Sequence, residues 1–427
     1  MDWTSSVIWW HCYPLRFVGA EERAITTTEH RFDHLANWLD HAQQLGCDGL
    51  LLAPVFDSVS HGYDTLDYYR IDPRLGDDAD FDEFMRQAKV RGMRVVLDGV
   101  FNHVSREHEI VRRALAAGED SPEGRWLKWD AGFPYCFEGN LDLVELNLAH
   151  PPVADYIADV MIHWLDRGAD GWRLDAAFAP GADVWRPILD RVRAVHPDVW
   201  ILAELLTTDY LDFAARAGVD SVTQYELWKG IWSSLKEQNL HELAWSLKRH
   251  VTFVEQFRPQ TFIGNHDVTR IRSNVGDDRH LGHAVALLMT LPGIPSVYAG
   301  DEFGFTGVKE DRPGGDDAMR PAFPRTPDEL ADAMPELQEV YRRLIAFRRR
   351  HPWLVDATVS TRDVTNTFMV VELTHRAERL ELVLNLGDDA APLPAGDVVL
   401  AGDASGEPGL VGAHDWAIVR PEHHQVT

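Results

Sequence analysis

The sequence predicts an α/β fold, a (β/α)8 barrel with a short insert after the third strand and a C-terminal antiparallel β-domain. Three observations predict it. Apolar runs alternate with amphipathic stretches along most of the 427 residues, the signature of parallel strands joined by helices. Four of the runs end in a carboxylate, alone or with His or Arg: Asp98-Gly-Val-Phe-Asn102-His103, Gly171-Trp-Arg173-Leu-Asp175, Ala203-Glu204 and Phe262-Ile-Gly-Asn265-His266-Asp267. After Pro352 the pattern turns to short alternating segments punctuated by Gly and Pro, which reads as antiparallel strands.

Taken in order, Val7–Phe17 and Cys47–Phe56 read as the first two strands, with a helix over His30–Leu45 between them. Val95–Phe101 is the third strand, Asp170–Ala176 the fourth and Val199–Leu205 the fifth, the last two separated by a helical Val184–Val195. Ser221–Leu227 is a weaker sixth strand, followed by a helix from about Ile231 to Arg249. Gln260–Gly264 and Ile294–Ala299 complete the eight. Leu337, Val340, Leu344 and Phe347 mark Pro335–His351 as a closing amphipathic helix. Between His103 and Val153 no helical period stands out, and a loop of that length is usually functional. The expected division is a barrel of residues 1–103 and 153–351, an insert of 104–152, and a β-sandwich domain of 352–427.

Composition narrows the function. There are 68 acidic residues against 41 Lys and Arg, a formal charge of −27, which argues against nucleic acid or an anionic membrane as partner. No apolar run approaches the roughly 20 residues of a membrane helix. Met1-Asp-Trp-Thr-Ser-Ser shows no basic segment leading into an apolar one, so no signal peptide is expected. Cys12, Cys47 and Cys136 are odd in number and do not suggest a disulfide framework. A cytoplasmic protein is expected; oligomeric state is not readable.

In a (β/α)8 barrel the C-terminal strand ends converge on one rim, so Asp175, Glu204 and Asp267 are expected in one pocket. Carboxyls flanking a glycosidic bond are the equipment of glycoside hydrolysis. Arg173 and Asp175 point the same way on a strand of period two, and a neighbouring guanidinium favours an ionised carboxylate. Glu204 ends an otherwise apolar strand, where desolvation would help it keep a proton.

These four stretches, in this order, resemble the conserved regions of the α-amylase family of retaining glycosidases and transglycosidases. Gly62-Tyr63-Asp64-Thr-Leu-Asp-Tyr-Tyr-Arg-Ile-Asp72 and Gly293-Ile-Pro-Ser-Val-Tyr-Ala-Gly-Asp-Glu302 support the likeness, which runs from about Val7 to His351. The resemblance implies Asp175 as nucleophile, Glu204 as acid/base, and Asp267 with His266 as ligands of the 2- and 3-hydroxyls of the sugar before the cleaved bond. It implies that Tyr63 stacks under that ring, that Asp64 beside it and Arg173 are also substrate-binding, and that His103 bonds its 6-hydroxyl. Asp316 and Arg320 resemble a pair that reaches the 4-hydroxyl. Asp98 reads as a brace for Arg173, and Asn102 matches a position that ligates calcium in many amylases.

Two departures bear on the substrate, a small oligosaccharide by this resemblance. Ala176-Ala-Phe178-Ala179 stands where amylases of long chains carry Lys and His, and Ser60-His61 where exo-acting α-glucosidases carry Asp. The first points away from starch and the second, which resembles neopullulanase-like members, away from exo-action on a terminal glucose; together they point toward short or unusual α-glucosides. The insert offers Asp130, Glu138, Asp142 and Glu145 but no recognisable calcium loop, so no metal or other cofactor is expected, although calcium is compatible. Trp126, Trp129, Phe133, Tyr135 and Phe137 of the insert, and Trp228 and Trp232, either build local cores or wall the cleft. The expected activity is a retaining α-glycosidase hydrolysing short malto-oligosaccharides or related glucosides; transglycosylation on the same site, or an inactive binding protein, are the alternatives.

Overall fold

The computed structural model describes residues 3–206, 209–312, 314–403 and 407–422. Eight parallel strands, β1 (Trp9–Cys12), β2 (Gly49–Leu52), β3 (Arg94–Gly99), β4 (Gly171–Leu174), β5 (Trp200–Ala203), β6 (Ser221–Val222), β7 (Gln260–Phe262) and β8 (Ile294–Tyr298), pair in the order 6-5-4-3-2-1-8-7. A parallel bridge between Thr223 and Gln260 joins the two remaining edges and closes the (β/α)8 barrel.

The two-residue period of a strand decides what the barrel holds. On β1, Ile8, Trp10 and Cys12 face the helices, whereas Trp9 faces inward with Leu51, Val96, Trp200, Leu202 and Ile294. Trp9 and Trp200 stack at 5.1 Å, and Trp3 closes edge-on at 5.9 Å from Trp9. Gly49 gives that stack its room, since a Cβ there would lie 2.3 Å from the Trp9 ring. Continuing the same inward rows leads from Trp9 to His11, from Val96 to Asp98 and from Trp200 and Leu202 to Glu204. The floor of the barrel is therefore apolar and its mouth is charged.

Several elements are shorter than the sequence pattern predicts. β1 stops at Cys12 because Pro14 opens a one-turn helix, Pro14–Phe17, proline being suited to a first helical turn. The sixth strand ends at Val222; the Gln224 side chain accepts the Leu227 N–H and starts a helix at Tyr225–Lys236. A second helix, Leu240–Val254, follows where one continuous helix is predicted, and His30–Leu45 is likewise two short helices, Phe32–Ala36 and Leu39–Leu45. The insert contains a helix, Glu109–Ala117, and hangs from the barrel by Ser105 and His103 pairing with Leu143 and Glu145.

Beyond the barrel, β9 (Thr358–Arg362), β10 (Phe368–His375), β11 (Glu378–Asn385), β12 (Gly396–Ala401) and β13 (Asp415–Pro421) form one antiparallel sheet in the order 9-10-11-13-12. A two-stranded ribbon, Ala391–Pro392 with Leu410–Val411, covers one of its faces through Val411, Val370 and Val383. His283 of the barrel meets the carbonyls of Asn385 and Asp415 at 3.1 and 3.0 Å, which ties the sheet to the barrel. Cys12 and Cys47 are buried free thiols. Among the described residues no helix is long and apolar enough to cross a membrane.

Trp9→Ala should destabilise the protein by about 3–5 kcal/mol, the range for removing a large buried aromatic. Chemical unfolding followed by far-UV circular dichroism would register this as a lower midpoint; an unchanged midpoint would mean that the floor does not hold the barrel together.

Candidate active site

Arg173, 3% exposed, stands at the centre of the barrel mouth. It lies directly opposite Asp98 in the β4–β3 register, and its Nη1 donates to both Asp98 oxygens at 2.7 and 2.6 Å. The same nitrogen donates to Asp175 Oδ1 at 3.2 Å, while Nη2 reaches Glu204 Oε1 at 2.7 Å and Asp267 Oδ2 at 3.6 Å. One guanidinium thus gathers carboxylates from β3 and from the ends of β4, β5 and β7. Asp98 faces Arg173 from below, in the position of a brace.

Glu204 is the best-held of these acids. Its Oε2 accepts the backbone N–H of Ala176 at 3.0 Å, and its Oε1 accepts the Tyr225 hydroxyl at 3.1 Å. Asn265 in turn donates to Tyr225 at 3.0 Å. Ala176, next after Asp175, takes φ 44°, a left-handed backbone that aims its N–H at Glu204. Asp175 has fewer partners. Burial pushes its carboxyl well above the usual carboxylate range, Glu204 adds to that, and Arg173 opposes it. Here the structure differs from the expectation that Arg173 holds Asp175 ionised: the closer guanidinium contact belongs to Glu204.

Asp267 behaves oppositely. Burial would raise its pKa, but His266 at 3.0 Å, Arg320 at 2.9 Å and Arg173 together hold it well below the usual range. Arg320 also donates to Asp316 at 3.2 Å and to the His266 carbonyl at 2.8 Å, so the Asp316/Arg320 pair is joined to Asp267. Four carboxylates, Asp98, Asp175, Glu204 and Asp267, face two guanidiniums, Arg173 and Arg320. Like charges this close in a buried site cannot all be ionised, so the group retains a proton.

The cleft above them has a volume of about 920 Å³. Tyr63 lies on its wall, donating its hydroxyl to Asp98 at 3.0 Å and touching His266. His103 is buried, with Nε2 unpartnered in the protein and its ring stacked 4.5 Å from Phe137. Burial depresses its pKa to about 4, leaving a neutral imidazole at the cleft. Of the aromatic residues left open by the sequence, Phe137 and Trp228 line the cleft, whereas Phe133 and Tyr135 are exposed at the surface of the insert.

Asp64 is a correction. Its oxygens accept the Ser60 N–H at 3.1 Å and the Ser60 hydroxyl at 2.6 Å, so it shapes the turn that presents Tyr63 and does not line the cleft. Asn102 is fully buried, and its Oδ1 has no hydrogen-bond partner. Tyr225, His11 and Lys309 were not read from the sequence. Tyr225 fell inside the overlong sixth strand, so nothing marked it as standing at the mouth. Lys309 donates to the Asp267 carbonyl at 3.0 Å from a loop with no periodic signal. His11 is a lone histidine in an apolar strand.

The sequence matches the family described as α-amylase, catalytic domain, over residues 12–142 and 133–332. It is 29% identical to a cyclomaltodextrinase of Geobacillus thermopakistaniensis over 92% of this chain and 71% of that protein. It is 27% identical to the intracellular maltogenic amylase of Bacillus subtilis strain 168 over 72% of this chain and 57% of that protein, so the chain spans only part of such relatives. The solved ligand-free cyclic α-maltosyl-(1→6)-maltose hydrolase of Arthrobacter globiformis superposes with a TM-score of 0.83 at 25% identity, covering 98% of both chains. With its family match spanning most of the barrel and its strand-end acids gathered on one arginine, this chain belongs to the α-amylase family.

Proposed function

We propose that the protein hydrolyses α-glucosidic bonds of short malto-oligosaccharides or related α-glucosides by double displacement. The observation that carries this reading is the Arg173 guanidinium with Asp175 on one nitrogen and Glu204 on the other. Two carboxyls on the two terminal nitrogens of one guanidinium are kept near each other, which supports a retaining pair, for which about 5–5.5 Å is the usual separation. In the first step Asp175 attacks the anomeric carbon as Glu204 gives its proton to the departing oxygen, leaving a glycosyl ester on Asp175. In the second, Glu204 takes a proton from water, whose oxygen displaces Asp175. Charge on Asp175 with the proton on Glu204 is the working state. Asp267, His266 and His103 would bind the sugar hydroxyls, and contacts that tighten in the transition state speed the reaction.

Phe178, Leu206 and Trp228 give the cleft an apolar stretch, which supports a second reading, transfer of the glycosyl group to another sugar. Chromatography of products from maltotriose separates the two: glucose and maltose alone indicate hydrolysis, and longer products indicate transfer.

The proposed enzyme works without calcium. Asn102 Oδ1 is one orphaned acceptor, whereas calcium takes about 6–8 oxygens. Of the acids considered in the insert, Glu145 is buried and already neutralised by Lys128 at 2.7 Å, while Asp130 and Asp142 are exposed. An intracellular setting is in keeping with the relative from Bacillus subtilis that bears that word in its name.

Glu204→Gln should lower kcat on maltotriose about 10²–10⁴-fold, the usual contribution of a general acid, and Asp175→Asn should abolish turnover. Both are near-isosteric, so circular dichroism should be unchanged; a variant with native structure and near-native rate would refute its assigned role. Treatment with EDTA should leave activity intact, and loss of activity that calcium restores would show that Asn102 belongs to a metal site. Finally, kcat/KM for maltotriose or a cyclic or branched oligosaccharide should exceed that for soluble starch. Ala179 leaves no polar side chain for remote sugars, whose binding energy favours long substrates. A clear preference for starch would reject this specificity.

A further inference from the structure

His266 is completely buried, and both of its ring nitrogens are engaged. Nε2 faces Asp267 Oδ2 at 3.0 Å and the Tyr63 hydroxyl. A carboxylate can only accept, and Tyr63 gives its own proton to Asp98 at 3.0 Å. Nε2 is therefore the donor to both, and it carries a hydrogen. The state of Nδ1 then rests on its single partner, His11 Nε2, at 3.0 Å.

His11 is 2% exposed and continues the inward row of β1 above Trp9. Its other nitrogen, Nδ1, is buried and has no hydrogen-bond partner. An orphaned buried N–H is rarer and costlier than a bare acceptor, so the ring hydrogen of His11 sits on Nε2, where an acceptor exists. The groups around it are the His266 and Tyr298 rings, with centroids 5.0 and 5.3 Å away, and the charges of Arg173, Arg270 and Asp267. Burial, the largest influence, disfavours a charged His11; Arg173 and Arg270 act in the same sense, and Asp267 opposes them.

We propose that His11 is a positioning residue for the sugar-binding edge of the cleft. By donating Nε2–H to His266 Nδ1, it fixes His266 in the Nε2–H tautomer and so keeps its donor aimed at Asp267 and the cleft. A donated hydrogen bond occupies the Nδ1 lone pair, and the alternative Nδ1–H tautomer would place two hydrogens face to face. Without His11, the Nδ1 of His266 loses its single partner and with it the bond that holds the Nε2–H tautomer. His266 would then present Asp267 and a bound sugar with a different pattern of donors. This role in turnover rests on the glycosidase reading above, but the tautomer itself does not.

The test begins on wild-type protein labelled with ¹⁵N-histidine, with the His266 signals identified by their loss in His266→Gln. Long-range ¹⁵N–¹H spectra at pH 7 should show His266 with hydrogen on Nε2 and none on Nδ1. Hydrogen on Nδ1 would overturn the proposal without touching the proposed reaction. In His11→Phe the His266 pattern should change and kcat/KM on maltotriose should fall about tenfold to a hundredfold. His11→Gln, which restores an N–H donor, should recover the wild-type spectrum and most of the rate. An unchanged His266 spectrum in folded His11→Phe, or a His11→Gln variant as poor as His11→Phe, would also overturn it.

Discussion

The buried Arg173 guanidinium orders the barrel mouth. It meets Asp98 in register across two neighbouring strands and reaches acids at the ends of β4, β5 and β7. Removing one partner from such a buried pair costs about 3–5 kcal/mol because the remaining charge is stranded. Geometry and electrostatics are therefore the same problem in this site. The arginine sets where Asp175 and Glu204 stand, with its closer contact on Glu204. The excess of carboxylates over guanidiniums keeps a proton within the group, which acid–base chemistry needs.

The rest of the barrel exists to hold that arrangement at one end. Trp9, Trp200 and their neighbours fill the interior below, so the inward rows change from indole and aliphatic side chains to His11, Asp98 and Glu204 within a single residue pair. Charges so placed have an apolar layer on one side and the cleft on the other. Low polarity below strengthens each contact and makes an unpaired polar atom expensive. This is why the orphaned His11 Nδ1, Asn102 Oδ1 and His103 Nε2 stand out in the network.

Much of this was legible in the sequence because strand ends carry the chemistry. A carboxylate just beyond a run of Val, Ile or Leu announces both a strand and a rim residue, and Asp98, Arg173, Asp175, Glu204 and Asp267 were each visible that way. What the pattern could not supply was direction and partnership. Asp64 sits in the same motif as Tyr63, yet its side chain turns to Ser60, since a short acid beside a tight turn finds backbone N–H groups first. Tyr225 was hidden because Ser221–Leu227 alternates apolar and polar residues too briefly to separate a strand from a helix start; only the Gln224 cap reveals the helix. His11 and His266 meet across 255 residues, and a histidine in an apolar run has no local signature of such a contact. The sharing of Arg173 between Asp175 and Glu204 is also beyond sequence, since it depends on differences of about half an ångström in contact distance.

The left-handed turn at Ala176 has a consequence for remodelling this cleft. Holding a non-glycine residue there costs about 1–3 kcal/mol, and the orientation it produces supplies an N–H to Glu204. Side chains branched at Cβ are shut out of that conformation, and proline would delete the N–H outright. The position immediately after Asp175 is thus closed to most substitutions, although it borders the cleft. Freedom to redesign begins two residues later: Phe178 and Ala179 are half-buried and border both the cleft and the groove beside the insert, or that groove alone in the case of Ala179. A library aimed at new acceptors or longer sugars therefore has its useful diversity there, and diversity spent at Ala176 would be lost to misfolded catalytic geometry.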